Sequence, residues 1–170
     1  TLHETGEHSV ALDVDYSAVL VGDAEETLIN LTNHSYFNVT GHPSIDGMQV
    51  KLATDRYMAV DDALLPTGEI QSHPLFADAQ DKTVMLGAES GTGESSDHCF
   101  VLDALNSLPD TRRGELARFA TLSSDTTGLT LTASTTEPSF QFYTGDGTNV
   151  QLAGEPRTFG NRSGVCLEAA

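Results

Sequence analysis

The feature that most limits this chain is a period of two. Residues 8–16 read HSVALDVDY, in which Val10, Leu12 and Val14 alternate with Ala11, Asp13 and Asp15. Side chains two apart share one face of an extended strand, so this pattern describes a half-buried strand. It recurs at AVLV (18–21), TLINLT (27–32), MQVKLAT (48–54), HCFVLDA (98–104), LARFATLSS (116–124), GLTLTAST (128–135), SFQFYTG (139–145) and GVCLEA (164–169). No long segment shows helical periodicity. The SSDTTG turn at 123–128 makes 116–135 a hairpin. Two stretches read as connections: DDALLPTGEI (61–70), with a Pro-Thr-Gly turn, and residues 71–96, which end in a Gly/Ser/Glu-rich run. Many strands with turns between them fold as an all-β, antiparallel sandwich or barrel. Without internal repeats or a shift in composition, residues 1–170 read as a single domain.

Charge narrows the function. The 170 residues hold 25 acidic and 8 basic side chains, a formal net charge of −17. Such a surface repels phosphate backbones and anionic lipid, which argues against nucleic acid and is compatible with a neutral substrate, less so with a strongly anionic one. No apolar run reaches the ~18 residues of a membrane span. The N-terminus, TLHETGEHSV, lacks a secretory apolar core and an initiator Met, so a processed product or fragment is expected. Sequons at Asn30, Asn33, Asn38 and Asn161 would matter only outside the cell, and three of them crowd into nine residues. The expected compartment is therefore the cytoplasm, or the extracellular space if the sequons are used. Cys99 and Cys166 are too few for a disulfide framework and read as ordinary strand residues, with one bridge left open.

Three polar clusters interrupt the strands: Asn33-His34-Ser35, Asp97-His98, and Glu168 after Val165, Cys166 and Leu167. Each has a plain explanation. His34 fits a polar turn, Asp97-His98 a turn that opens a strand, and Glu168 a strand emerging into solvent. No HxH, HExxH or CxxC spacing points to a metal, so none is expected. There is no GxSxG elbow, and Gly91-Thr-Gly93 lacks the context of a phosphate loop. One imidazole and one carboxylate do suit proton transfer at two ends of a small molecule. A nearby carboxylate favours the charged imidazole.

The strings NLTNHSYFNVTG, LLPTGEI, SSDHCFVLD, TTEPSFQFYTGDG and NRSGVCLEA resemble, in order and rough spacing, those of the aldose 1-epimerase (galactose mutarotase) family, from about residue 28 to the end. The resemblance implies the galactose mutarotase-like supersandwich, an antiparallel β-sandwich with the sugar in an open cleft. It implies cofactor-free interconversion of the α and β anomers of free hexoses. By position, His34 would be the general acid and Glu168 the general base. Asp97 and Gln141 would hold sugar hydroxyls, and Asn33 would belong to the same polar wall.

The departures set further expectations. The family's N-terminal half adds an Asn-Arg pair and a second histidine to the cleft, and nothing before residue 28 resembles them. Cys99 stands where the family has Asn, and 71–96 lacks the family's Gly-Thr-x-Phe-Asp-Phe string. The chain is therefore expected to be the C-terminal part of an incomplete sandwich. It would be marginally stable, and completed by a second copy or by the missing N-terminal half. Three other functions compete. One is a non-catalytic carbohydrate-binding module, and another is a secreted glycosylated β-domain. The last is a hexose-6-phosphate 1-epimerase, which Arg56, Arg112, Arg113, Arg118, Arg157 and Arg162 do not visibly support.

Overall fold

A computed structural model describes residues 1–23, 25–77, 82–87, 95–102, 115–154 and 156–170. The chain divides into two units, Thr1–Leu31 and Thr32–Ala170.

In the first unit, β1 (Leu2–Gly6) and β2 (Ser9–Leu12) form an antiparallel hairpin. His8 turns it with a positive φ of 82°. The alternation around Val10 and Leu12 is thus a strand. The alternating segment 18–21 is not, nor is 27–32 in either unit. Among the described residues neither segment has a ladder partner. Val19, Val21 and Leu28 are 84%, 81% and 100% exposed. Alternation records which side chains would share a face, whereas a strand also needs a neighbour to hydrogen-bond.

The second unit is a β-sandwich. Its four-stranded sheet runs β10 (Thr130–Thr135), β9 (Ala117–Ser123), β4 (Gln49–Leu52) and β7 (Val84–Met85), antiparallel throughout. Its six-stranded sheet runs β3 (Tyr36–Phe37), β14 (Val165–Ala169), β11 (Ser139–Tyr143), β8 (Asp97–Val101), β5 (Arg56–Val60) and β6 (Pro66–Ser72). All of these pairs are antiparallel. A small hairpin, β12 (Val150–Gln151) with β13 (Thr158–Phe159), stands apart from both sheets. The expected 116–135 hairpin is β9–β10, and the expected all-β sandwich is the fold.

The core lies where the inner faces meet. Val50, Leu52 and Leu122 from one sheet and Phe100, Phe140 and Phe142 from the other are fully buried. Phe119 of β9 packs on Phe140 of β11 with ring centroids 4.5 Å apart. A 3-10 turn, Pro74–Phe76, drops Phe76 against Phe100 and Phe142 at 5.5 and 5.4 Å. A buried aromatic removes about 150–250 Å² from water, so these rings dominate the apolar stabilisation.

Both expected connections contain strands. Residues 61–65 form the tight turn, in which Asp61 Oδ1 accepts the Ala63 and Leu65 amides. Pro66 then begins β6, an edge strand, where its missing N–H does little harm. The β5–β6 register slips between Met58 and Val60, and Gly68 across from it takes a φ of 86°. Residues 71–96 supply the end of β6, the 3-10 turn and β7, while 78–81 and 88–94, including Gly91 and Gly93, lie outside the described residues. The last two residues of the strand expected at 98–104, together with Arg112 and Arg113, lie outside them as well.

Candidate functional site

The outer face of the six-stranded sheet collects the polar residues. On β14, Val165 and Leu167 enter the core while Cys166 and Glu168 take the other face. On β11, Phe140 and Phe142 are buried and Gln141 and Tyr143 alternate with them. Register aligns these positions across strands. Glu168 pairs with Gln141, and Gln141 with Cys99. Tyr36 pairs with Cys166, Cys166 with Tyr143, and Tyr143 with Asp97. One pleat thus carries two adjacent polar rows over an aromatic core.

His34 arrives from the turn before β3. Asn33 Oδ1 accepts the Ser35 amide at 3.0 Å, a local turn that interrupts the extended chain. The His34 ring stacks on Tyr36 with centroids 5.2 Å apart and planes 29° apart. Its Nε2 lies 3.5 Å from Glu168 Oε1. The His34 side chain is 55% exposed and that of Glu168 only 13%, so the imidazole sits over the carboxylate. Beside them Gln141 Nε2 donates to Asp97 Oδ1 at 2.7 Å. Tyr143 meets Tyr36 edge-on at 6.4 Å, and its hydroxyl accepts the Gly147 amide at 2.6 Å.

Close backbone approach supports this arrangement. A Cβ at Gly145 (φ 75°) would lie 2.5 Å from the Gly164 carbonyl oxygen, and one at Gly164 would lie 3.0 Å from the Tyr36 Cβ. Only glycine lets these loops meet beside the β3–β14 pair. Arg162, also at positive φ (60°), ties the same region together: its guanidinium reaches Asp46 at 2.9 Å and Asp146 at 3.6 Å.

The electrostatics follow from burial. Burial pushes the Glu168 carboxyl above its ordinary value; His34 opposes the shift and Asp97 reinforces it. The Cys166 thiol is pushed up to about 12, by burial first and then by the Glu168 charge. Burial also raises the Tyr36 phenol.

The structure brings His34 and Glu168 together and joins Asp97 to Gln141. Asn33 adjoins His34 but is exposed, and its side chain forms the turn described above. Asp97 and His98 separate across the pleat, since consecutive strand residues point to opposite faces. His98 packs inward, 4.7 Å from the His73 ring and 4.8 Å from Tyr57. Cys166 is a strand residue as expected, and it also lies beside His34 and Glu168. Tyr36 and Tyr143 also belong to this face. The period of two that identified β11 and β14 would have placed Tyr143 and Cys166 there, whereas Tyr36 lies on a two-residue strand outside the alternating segments. Both cysteines are free. Their strands flank β11 and they pair with Gln141 and Tyr143 respectively, so two strand spacings alone separate them by more than about 9 Å, beyond disulfide reach. Among the described residues, His34, Cys166 and Glu168 are the group of donors able to share a metal ion, their atoms all lying within 4.8 Å of one another.

An antiparallel β-sandwich with an imidazole–carboxylate pair and further hydrogen-bonding groups on one sheet face is the arrangement that the resemblance to the mutarotase-type sandwiches implied. The family model for aldose 1-epimerase matches residues 1–170, and the chain belongs to that family. The bifunctional protein GAL10 of Pachysolen tannophilus is 39% identical over 173 residues, covering 100% of this chain and 23% of that protein. Human galactose mutarotase is 35% identical over 152 residues, covering 85% of this chain and 42% of that one. The chain therefore spans less than half the length of these relatives. A crystal structure of a GalM/aldose epimerase homologue from C. elegans shares the fold with a TM-score of 0.62 at 22% identity, over 81% of this chain and 40% of that one.

Proposed function

We propose that this chain carries the acid–base centre of an aldose 1-epimerase acting on free hexoses such as galactose and glucose. The observation that carries the reading is the His34–Glu168 pair at 3.5 Å. Anomer exchange moves protons on two oxygens, the C1 hydroxyl and the ring oxygen, and both are bonded to C1. An acid and a base this close can serve two oxygens on one carbon.

Glu168 takes the C1 hydroxyl proton, and a carboxylate whose pKa is raised toward neutrality is the stronger base for that task. His34 donates to the ring oxygen as the C1–ring-oxygen bond breaks. Rotation about C1–C2 presents the other face of the aldehyde. Closure reverses both transfers, so neither group is consumed. Asp97, already held by Gln141, accepts sugar hydroxyls and fixes C1 over the pair, a positioning contribution to rate.

The phosphate-sugar alternative fares poorly, since Arg162 beside this region is already engaged by Asp46 and Asp146. A sugar-binding module without turnover is the second reading, which the Asp97–Gln141 hydrogen-bonding pair on this face would support equally well. Polarimetry of freshly dissolved α-D-galactose and α-D-glucose separates the two. Accelerated relaxation that Glu168→Gln and His34→Ala each abolish is the expected result. Sugar binding by a folded chain without acceleration would leave the binding module.

A further inference from the structure

We propose that His34, Cys166 and Glu168 form a binding site for a thiophilic divalent cation, Zn²⁺ by its chemistry, which excludes the sugar when filled. The competition rests on the function proposed above, whereas the site itself does not.

The donors are an imidazole nitrogen, a thiol sulfur and a carboxylate oxygen, all within 4.8 Å of one another. Three such protein ligands with a fourth position open to water make a common zinc arrangement. Zinc bonds of about 2.0–2.3 Å give tetrahedral edges of roughly 3.5 Å. The His34 Nε2 to Glu168 Oε1 separation is already 3.5 Å. Cys166 and Glu168 are fixed two residues apart on one face of β14, which is hydrogen-bonded on both sides by β3 and β11. His34 sits on a turn with its side chain 55% exposed, so it is the donor free to close the remaining distance. The fourth ligand position then opens on the solvent side.

Charge favours the cation. Glu168 and Asp97 share this face, and the chain carries a net −17. A thiol and an imidazole select Zn²⁺ or Co²⁺ over Mg²⁺ and Ca²⁺, which prefer oxygen ligands. Coordination replaces the Cys166 S–H bond with an S–metal bond and sends that proton to solvent, so binding strengthens as pH rises. The metal also takes the lone pairs of His34 and Glu168 that proton transfer to a sugar requires.

The test is direct titration of the full chain with Co²⁺ and Zn²⁺. Expected are a thiolate-to-cobalt absorption band and proton release on binding. Zn²⁺ should displace Co²⁺, and a large excess of Mg²⁺ should not. Cys166→Ser should remove the band, and both it and His34→Ala should weaken affinity at least about tenfold, as loss of a ligand requires. Cys99→Ser should keep the band. Because His34 lies on an exposed turn, His34→Ala reports on the site even if Cys166→Ser fails to fold. A missing thiolate band, unchanged affinity in His34→Ala, or equal competition by Mg²⁺ would overturn the proposal. Mutarotation that persists when titration shows the site filled with Zn²⁺ would overturn the exclusion of sugar. A metal site in a chain with no mutarotation would keep the site and remove the catalytic reading.

Discussion

Glu168 is a carboxylate whose ionised form the fold resists. Burial raises its pKa above the ordinary 4.5 despite His34. With the folded value raised, the unfolded chain releases this proton more readily. The resulting destabilisation is absent below pH 4.5, grows as pH rises through the folded value and is complete above it. Glu168→Gln should therefore melt higher than the parent at neutral pH and at the same temperature near pH 4. Its mutarotation should fall by about 10²–10⁴-fold, the usual worth of a general base. Thermal melts across pH check the first expectation and polarimetry the second. A variant that melts lower at pH 7 would show that the ionised carboxylate stabilises the fold. The same residue shows what the sequence could and could not convey. A carboxylate after Val165-Cys166-Leu167 was visible, but its neighbours were not. His34 lies far away in sequence, and only the return of the chain through β3 beside β14 joins the two.

Strands carry two instructions at once, one for each face. On β11, Phe140 is fully buried, while Gln141 beside it holds Asp97 on the outer face. Phe140→Ala should lower unfolding free energy by about 3–5 kcal/mol. Gln141→Ala should lower it by less than about 1.5 kcal/mol, because it removes one partly exposed hydrogen bond. Urea denaturation of both variants checks the contrast, and equal losses would contradict the assigned faces. The element closing β6 makes a different prediction. His73, 4% exposed, packs against Tyr57, Phe76, His98 and Phe100, and its Nδ1 has no hydrogen-bond partner among the described residues. Burial, then the neighbouring His98, lowers its pKa from 6.5 to about 4. Its neutral form therefore supports the fold above pH 6.5, and that support is lost as pH falls toward 4, by on the order of 2 kcal/mol. His98 is also lowered by burial, partly offset by Asp97, and adds in the same direction. His73→Phe should flatten this acid limb in melts between pH 7 and 4; an unchanged slope would remove His73 as its source. Strands with strong alternation, such as β9 to β11, were legible because one face meets the core. Strand β6 was not, because all seven of its residues are exposed and it opens on a proline. Segments 18–21 and 27–32 show the reverse error, since they alternate but lack a partner strand.

At the scale of the molecule, charge is the least local property and the one most fully written in the composition. The chain holds 25 acidic against 8 basic residues. Ion pairs such as Arg162 with Asp46 and Asp146 offset few of the negative charges. A net charge of this size repels itself in the compact state and destabilises it. Salt shortens the range of that repulsion, from about 10 Å at 0.1 M to about 3 Å at 1 M. The melting temperature should therefore rise with sodium chloride, steeply at first and then levelling once the screening length falls below the spacing of surface charges. That curvature separates screening from salting-out, which strengthens apolar burial through exclusion of the salt from the protein surface. Replacing exposed Glu25 and Glu26 with glutamine supplies a second test, because a smaller net charge should raise the melting temperature at low salt and have less effect at high salt. A melting temperature that stays flat in sodium chloride, or that gains equally from these substitutions at every salt concentration, would mean that charge repulsion does not limit the fold.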